Sequence, residues 1–105
     1  MSADSLSTEN QPRSFPRAEA AQVFCFSVTA DVEPGVMSRV LELFAKRNLV
    51  PARCHSDVVA TKHGEALAID LQVPGLTAEL TDYIARCMRQ IWGVDTVLTS
   101  EKRSA

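Results

Sequence analysis

Residues 22–48 read QVFCFSVTADVEPGVMSRVLELFAKRN, and the change of rhythm inside this stretch decides the fold. In its first third Phe24, Phe26, Val28 and Ala30 alternate with Cys25, Ser27 and Thr29. A period of two puts successive side chains on opposite faces of a strand, so this strand has one strongly apolar face. From Gly35 the spacing changes. Val36, Val40, Leu43 and Phe44 recur at i, i+4, i+7 and i+8, joined by Met37 and Leu41, the stripe of an amphipathic helix over residues 35–48. Between the two lies the turn Asp31-Val32-Glu33-Pro34-Gly35, in which Pro34 pre-sets the entry to the helix and Gly35 permits a close backbone approach. Glu42 and Lys46 support the exposed side of the helix, and Asn48 is a suitable stop.

Downstream the same reading gives four more elements. An irregular strand over residues 50–61 has Pro51 near its start, which suits a sheet edge. Thr61, Lys62, His63 and Gly64 form a hairpin turn into a strand over 65–73, where Leu67, Ile69, Leu71 and Val73 alternate with Ala66, Ala68, Asp70 and Gln72. Pro74 and Gly75 break that strand, and Thr77 is the expected N-cap of a second helix. Its stripe is Leu80, Ile84, Cys87, Met88 and Ile91, with Tyr83 beside it and Gly93 at its end. A last strand over 94–99 gives way to a polar tail. The order strand–helix–strand–strand–helix–strand, with right-handed crossovers, predicts an α+β, ferredoxin-like βαββαβ sandwich: a four-stranded antiparallel sheet with two helices on one face. The expected divisions are a disordered N-terminal tail over 1–21, a folded domain over 22–100 and a polar C-terminal tail over 101–105. The opposite sheet face carries Cys25, Ser27, Thr29, Ala66 and Ala68, small and mildly polar residues that suit a packed interface with a second subunit or another protein.

Composition and charge narrow the function. The chain has 105 residues, 46% hydrophobic and 23% charged, with a formal net charge of -2. Neutralising phosphates needs a basic surface, so nucleic acid is not expected as a partner. No apolar run approaches the roughly 18 residues that span a bilayer, and no secretory signal precedes the domain, so the expected location is the cytoplasm, without membrane contact. Cys25, Cys54 and Cys87 are isolated, odd in number and read as reduced thiols packed as small apolar residues.

Specific chemistries fare poorly. Base-stacking aromatics are missing from the strand over 65–73, and Phe24 and Phe26 point toward the helices. The first loop has no Cys or His for a soft metal, and His55 and Cys54 face opposite ways on one strand. A phosphate-cradling enzyme would need an arginine opening the first helix, whereas Arg39 is a full turn in and the preceding loop is acidic. No cofactor, metal or catalytic residue is expected, and the domain reads as non-enzymatic. What remains is the first turn. The free N–H groups that open a helix attract a carboxylate or phosphate, and Asp31 can receive an ammonium, together a fit to the two ends of an α-amino acid. The alternative is that Asp31 and Glu33 only complement the helix dipole.

This turn resembles the ACT domain, a small regulatory module of amino-acid metabolism. The likeness spans a strand, the Glu33-Pro34-Gly35 turn and a helix that closes on Phe44, Arg47 and Asn48. Within it, residues 33–40 and 43–48 resemble the regulatory small subunit of acetolactate synthase, of the short single-domain kind. The resemblance implies a non-catalytic homodimer, often paired side by side into an eight-stranded sheet, with a small amino acid bound by Asp31, Val32, Glu33, Pro34, Gly35 and Val36. It also implies a catalytic enzyme subunit as partner. Val32 stands where that small subunit typically carries an Asn that contacts valine. A ligand-free interaction or assembly domain is therefore the alternative function.

Overall fold

The computed structural model describes residues 22–103. The order is β1 (Gln22–Ala30), α1 (Pro34–Ala45), β2 (Arg53–Thr61), β3 (Gly64–Pro74), α2 (Ala78–Arg89) and β4 (Val94–Arg103). The strands form one antiparallel sheet in the order β2-β3-β1-β4. This is the expected ferredoxin-like sandwich.

The alternation on β1 and β3 sets the register of the core. Phe26 pairs with Leu71 and Val28 with Ile69, so four large side chains point together to the helix side. Val36, Val40, Leu43 and Phe44 of α1 and Ile84, Ala85 and Met88 of α2 close over them. Phe26 and Phe44 meet edge to face, with ring centroids 5.4 Å apart and planes at 73°, a favoured aromatic geometry.

Four expectations are corrected. Helix α1 ends at Ala45, not Asn48, because residues 46–48 form a turn that Asn48 closes at φ 59. Strand β2 starts at Arg53, after Pro51, although Ala52 already donates to the Gln72 carbonyl. Strand β4 runs to Arg103, because Ser100, Glu101 and Lys102 continue the ladder with β1 through Cys25, Phe24 and Val23, so 101–103 is sheet. Cys54 is exposed on β2 and does not pack as an apolar residue. The expected disorder of residues 1–21 lies outside the described residues, as do residues 104–105 of the C-terminal tail.

The two helix starts differ. At α2 the Thr77 hydroxyl accepts the Leu80 N–H at 3.0 Å, as expected of an N-cap. At α1 the N-cap is Glu33, whose side chain makes no capping bond, and Pro34 has no N–H.

Helix α2 also buries a residue outside its apolar stripe. Thr81 is 1% exposed, and its hydroxyl has no hydrogen-bond partner among the described residues. An unpaired buried hydroxyl costs about 1–3 kcal/mol. Thr81→Val, which keeps the branched shape, is therefore expected to raise stability by about 1 kcal/mol. Urea denaturation checks this: the midpoint should rise at constant slope, and a fall would show that the hydroxyl contributes to the fold.

Candidate functional site

The end of β1, the turn after it and the segment before β4 meet at one end of the molecule. The Asp31 N–H donates to the Gly93 carbonyl at 2.7 Å, tying the first turn to the segment that links α2 to β4. The turn then folds on itself, with the Glu33 N–H donating to the Asp31 carbonyl at 2.9 Å. Gly93 has φ +98, and a Cβ there would stand 3.1 Å from Val36 Cγ2. The close approach seats Val36 in the core.

A hollow of about 330 Å³ opens beside the start of α1. Val32, Glu33, Pro34, Met37 and Leu67 line it. Most of this wall is apolar, and Glu33 supplies one carboxylate. Leu67 of β3 pairs with Val58 of β2, so the hollow lies next to the sheet edge.

The predicted binding residues are thus brought together only in part. Val32, Glu33 and Pro34 share the hollow, and Met37 and Leu67 complete it. Val36 is fully buried and belongs to the core instead. Its place in the stripe of α1 already said so, because a position that packs inward cannot also face a ligand. Gly35 lies under the Arg39 guanidinium, whose Nη1 would be 2.9 Å from a Cβ at that position. Arg39, a full turn into the helix, therefore reaches back to its start and adds positive charge there.

Asp31 is separated from the hollow. It lines a second recess of about 260 Å³ with Thr61, His63, Glu65 and Asp95, and a Cβ on Gly93 would lie 3.9 Å from its Oδ2. An ammonium on Asp31 would sit in that recess and not beside the apolar walls. Glu33 is the acidic residue on the correct side. The helix period that made Met37 apolar was visible in sequence, whereas the pairing of Leu67 with this turn was not.

The predicted interface residues do share one face. Cys25, Ser27 and Thr29 of β1 stand beside Gln72, Asp70 and Ala68 of β3, and Ala66 follows on the same side. This open face is more charged than its small residues suggested. Arg53, His55 and Asp70 border its hollow of about 620 Å³, and the His55 Nε2 and Asp57 Oδ2 lie 2.8 Å apart. Among the described residues no group of His, Cys, Asp and Glu could hold a metal ion. No helix there is long and apolar enough to cross a membrane.

A family model for the ACT-like domain matches residues 17–104, which includes every element above. The chain belongs to the ACT-like domain family. Domains of this family are typically regulatory and ligand-binding. Solved structures share the fold at low identity. The ACT domain of GTP pyrophosphokinase from Chlorobium tepidum superposes with a TM-score of 0.60 at 13% identity, over 74% of this chain and 96% of that one. The C-terminal domain of the MgtC protein from Mycobacterium tuberculosis gives 0.65 at 10% identity, over 81% and 92%. A homoserine dehydrogenase from Thiobacillus denitrificans gives 0.63 at 14% identity, over 82% of this chain and 19% of the enzyme. Among curated proteins, none matches the chain.

Proposed function

We propose that this ACT-like domain is a non-catalytic regulatory module that binds a small α-amino acid at the first turn. One observation carries the reading: an apolar hollow opens directly beside a helix start whose N-cap side chain makes no capping bond. The pairing of these features matches the ligand. A small aliphatic side chain fits against Val32, Pro34, Met37 and Leu67, the ammonium meets Glu33, and the carboxylate turns to the Gly35 N–H at the start of α1, the Val36 N–H already donating to the Glu33 carbonyl at 3.2 Å. The Arg39 guanidinium strengthens the attraction for that carboxylate.

The regulated partner in this reading is an enzyme of amino-acid metabolism. The resemblance of residues 33–40 and 43–48 to the acetolactate synthase small subunit makes that enzyme the first candidate. A homodimer joined edge to edge through β2 fits the same picture. Every residue of β2 is exposed, with Val58 at 53% and Val59 at 38%, and among the described residues its outer backbone groups have no neighbouring strand. Such an edge recruits another strand, and Val58 would bring the second copy up to the hollow.

Calorimetric titration with valine, leucine, isoleucine, threonine and serine, one at a time, tests the ligand. At least one small amino acid is expected to give a saturable heat with unit stoichiometry per chain or per dimer. The bare β2 edge also favours a second reading, a ligand-free assembly domain. Silence across the panel, with a stable dimer on sedimentation, would select it.

A further inference from the structure

We propose that the cluster Arg47, Tyr83 and Arg86 on the helix layer docks an acidic segment of a partner protein. Arg47 follows the last turn of α1, about 18 Å along the helix from the first turn at 1.5 Å per residue. The docking surface therefore requires nothing of the amino-acid site. Its guanidinium carbon lies 5.4 Å from the centroid of the Tyr83 ring, and that of Arg86 lies 5.8 Å from the same centroid. Both distances fall within the range of a cation–π contact. Arg47 is further held by a 2.7 Å hydrogen bond from its Nη1 to the Leu43 carbonyl. Tyr83 remains 47% exposed.

The chemistry of the partner follows from charge. Two guanidiniums share one ring, and carboxylates stand within one or two helical turns: Asp82 four residues before Arg86, and Glu42 five before Arg47. An Asp four residues ahead of an Arg is a favourable helical pair, yet neither arginine forms an ion pair among the described residues. Among the described residues both guanidiniums keep most of their N–H donors free, on a chain with net charge -2. Planar forks of this kind bind carboxylates two bonds at a time. Tyr and Arg are also the residue types that dominate protein contacts. The ring holds the two forks in place, so less side-chain entropy is lost on binding.

The probe is a fluorescein-labelled octaglutamate peptide, followed by anisotropy at low salt with the full chain. Saturable binding that weakens as salt rises is expected. Arg86→Glu, at an exposed position without a side-chain hydrogen bond among the described residues, should weaken it about tenfold. Tyr83→Leu and Arg47→Lys should each weaken it less, since each keeps part of the cluster. Arg53→Glu, on the open sheet face, should leave it unchanged. Equal affinity for wild type and Arg86→Glu would overturn the proposal, as would a larger loss from Arg53→Glu. An absence of saturable binding to the peptide would overturn it too, including where inorganic phosphate or a single-stranded DNA oligonucleotide binds at the cluster instead.

Discussion

Phe44→Ala is expected to destabilise the domain severely. Phe44 is fully buried and stands edge to face with Phe26 across the interface of helix and sheet. Truncating a buried Phe costs about 3–5 kcal/mol. A folded unit of about 80 residues has total stability on the order of 4–12 kcal/mol, so this one change removes from about a quarter to all of it. Phe44→Leu, which refills most of the volume, should cost about 1–2 kcal/mol and keep a cooperative transition. Thermal and urea denaturation of the three proteins measure both effects. A Phe44→Ala protein within about 1 kcal/mol of wild type would mean that the helix layer does not depend on this contact.

Gly93→Ala is expected to damage stability and ligand binding together. The residue holds φ +98 and faces Val36 Cγ2 at 3.1 Å from any Cβ. A non-glycine residue at positive φ costs about 1–3 kcal/mol, and overpacking adds about 1–3 kcal/mol more. The methyl group would push Val36, and with it the start of α1, away from β4. Because the Gly93 carbonyl also accepts the Asp31 N–H, the first turn loses its anchor at the same time. Amino-acid affinity should fall about tenfold or more even at a temperature where the variant stays folded, since 1.4 kcal/mol of misplacement is enough for that. A variant with lowered stability but wild-type affinity would detach the hollow from this anchor.

These two residues also show what could be read from the chain alone. Phe44 was legible because helical spacing places it on the same stripe as Val36 and Val40, and that stripe had to meet the apolar face of β1. Gly93 was legible only as the end of a helix. Its contact with Val36 and its bond to Asp31 join residues about 60 positions apart, and local periodicity carries no information about such a pairing. The same limit explains the site. Val32, Glu33 and Pro34 were found from the turn, while Leu67 comes from the neighbouring crossover and enters only through the sheet register. Asp31 stands just before the helix start in sequence, where a carboxylate can receive an ammonium. The turn rotates its carboxylate toward Gly93 and leaves Glu33 on the side of the hollow. The charge on the open face was missed because Arg53 and His55 lie on β2, whose pattern is the least regular.

Amide NMR of the full chain during titration with the best-binding amino acid tests the central claim most directly. Saturable shifts are expected at Val32, Glu33, Gly35, Val36, Met37 and Leu67, with Arg47 and Ser100 unmoved. A spectrum unchanged by valine, leucine, isoleucine, threonine and serine at millimolar concentration would contradict it, as would shifts confined to the open sheet face.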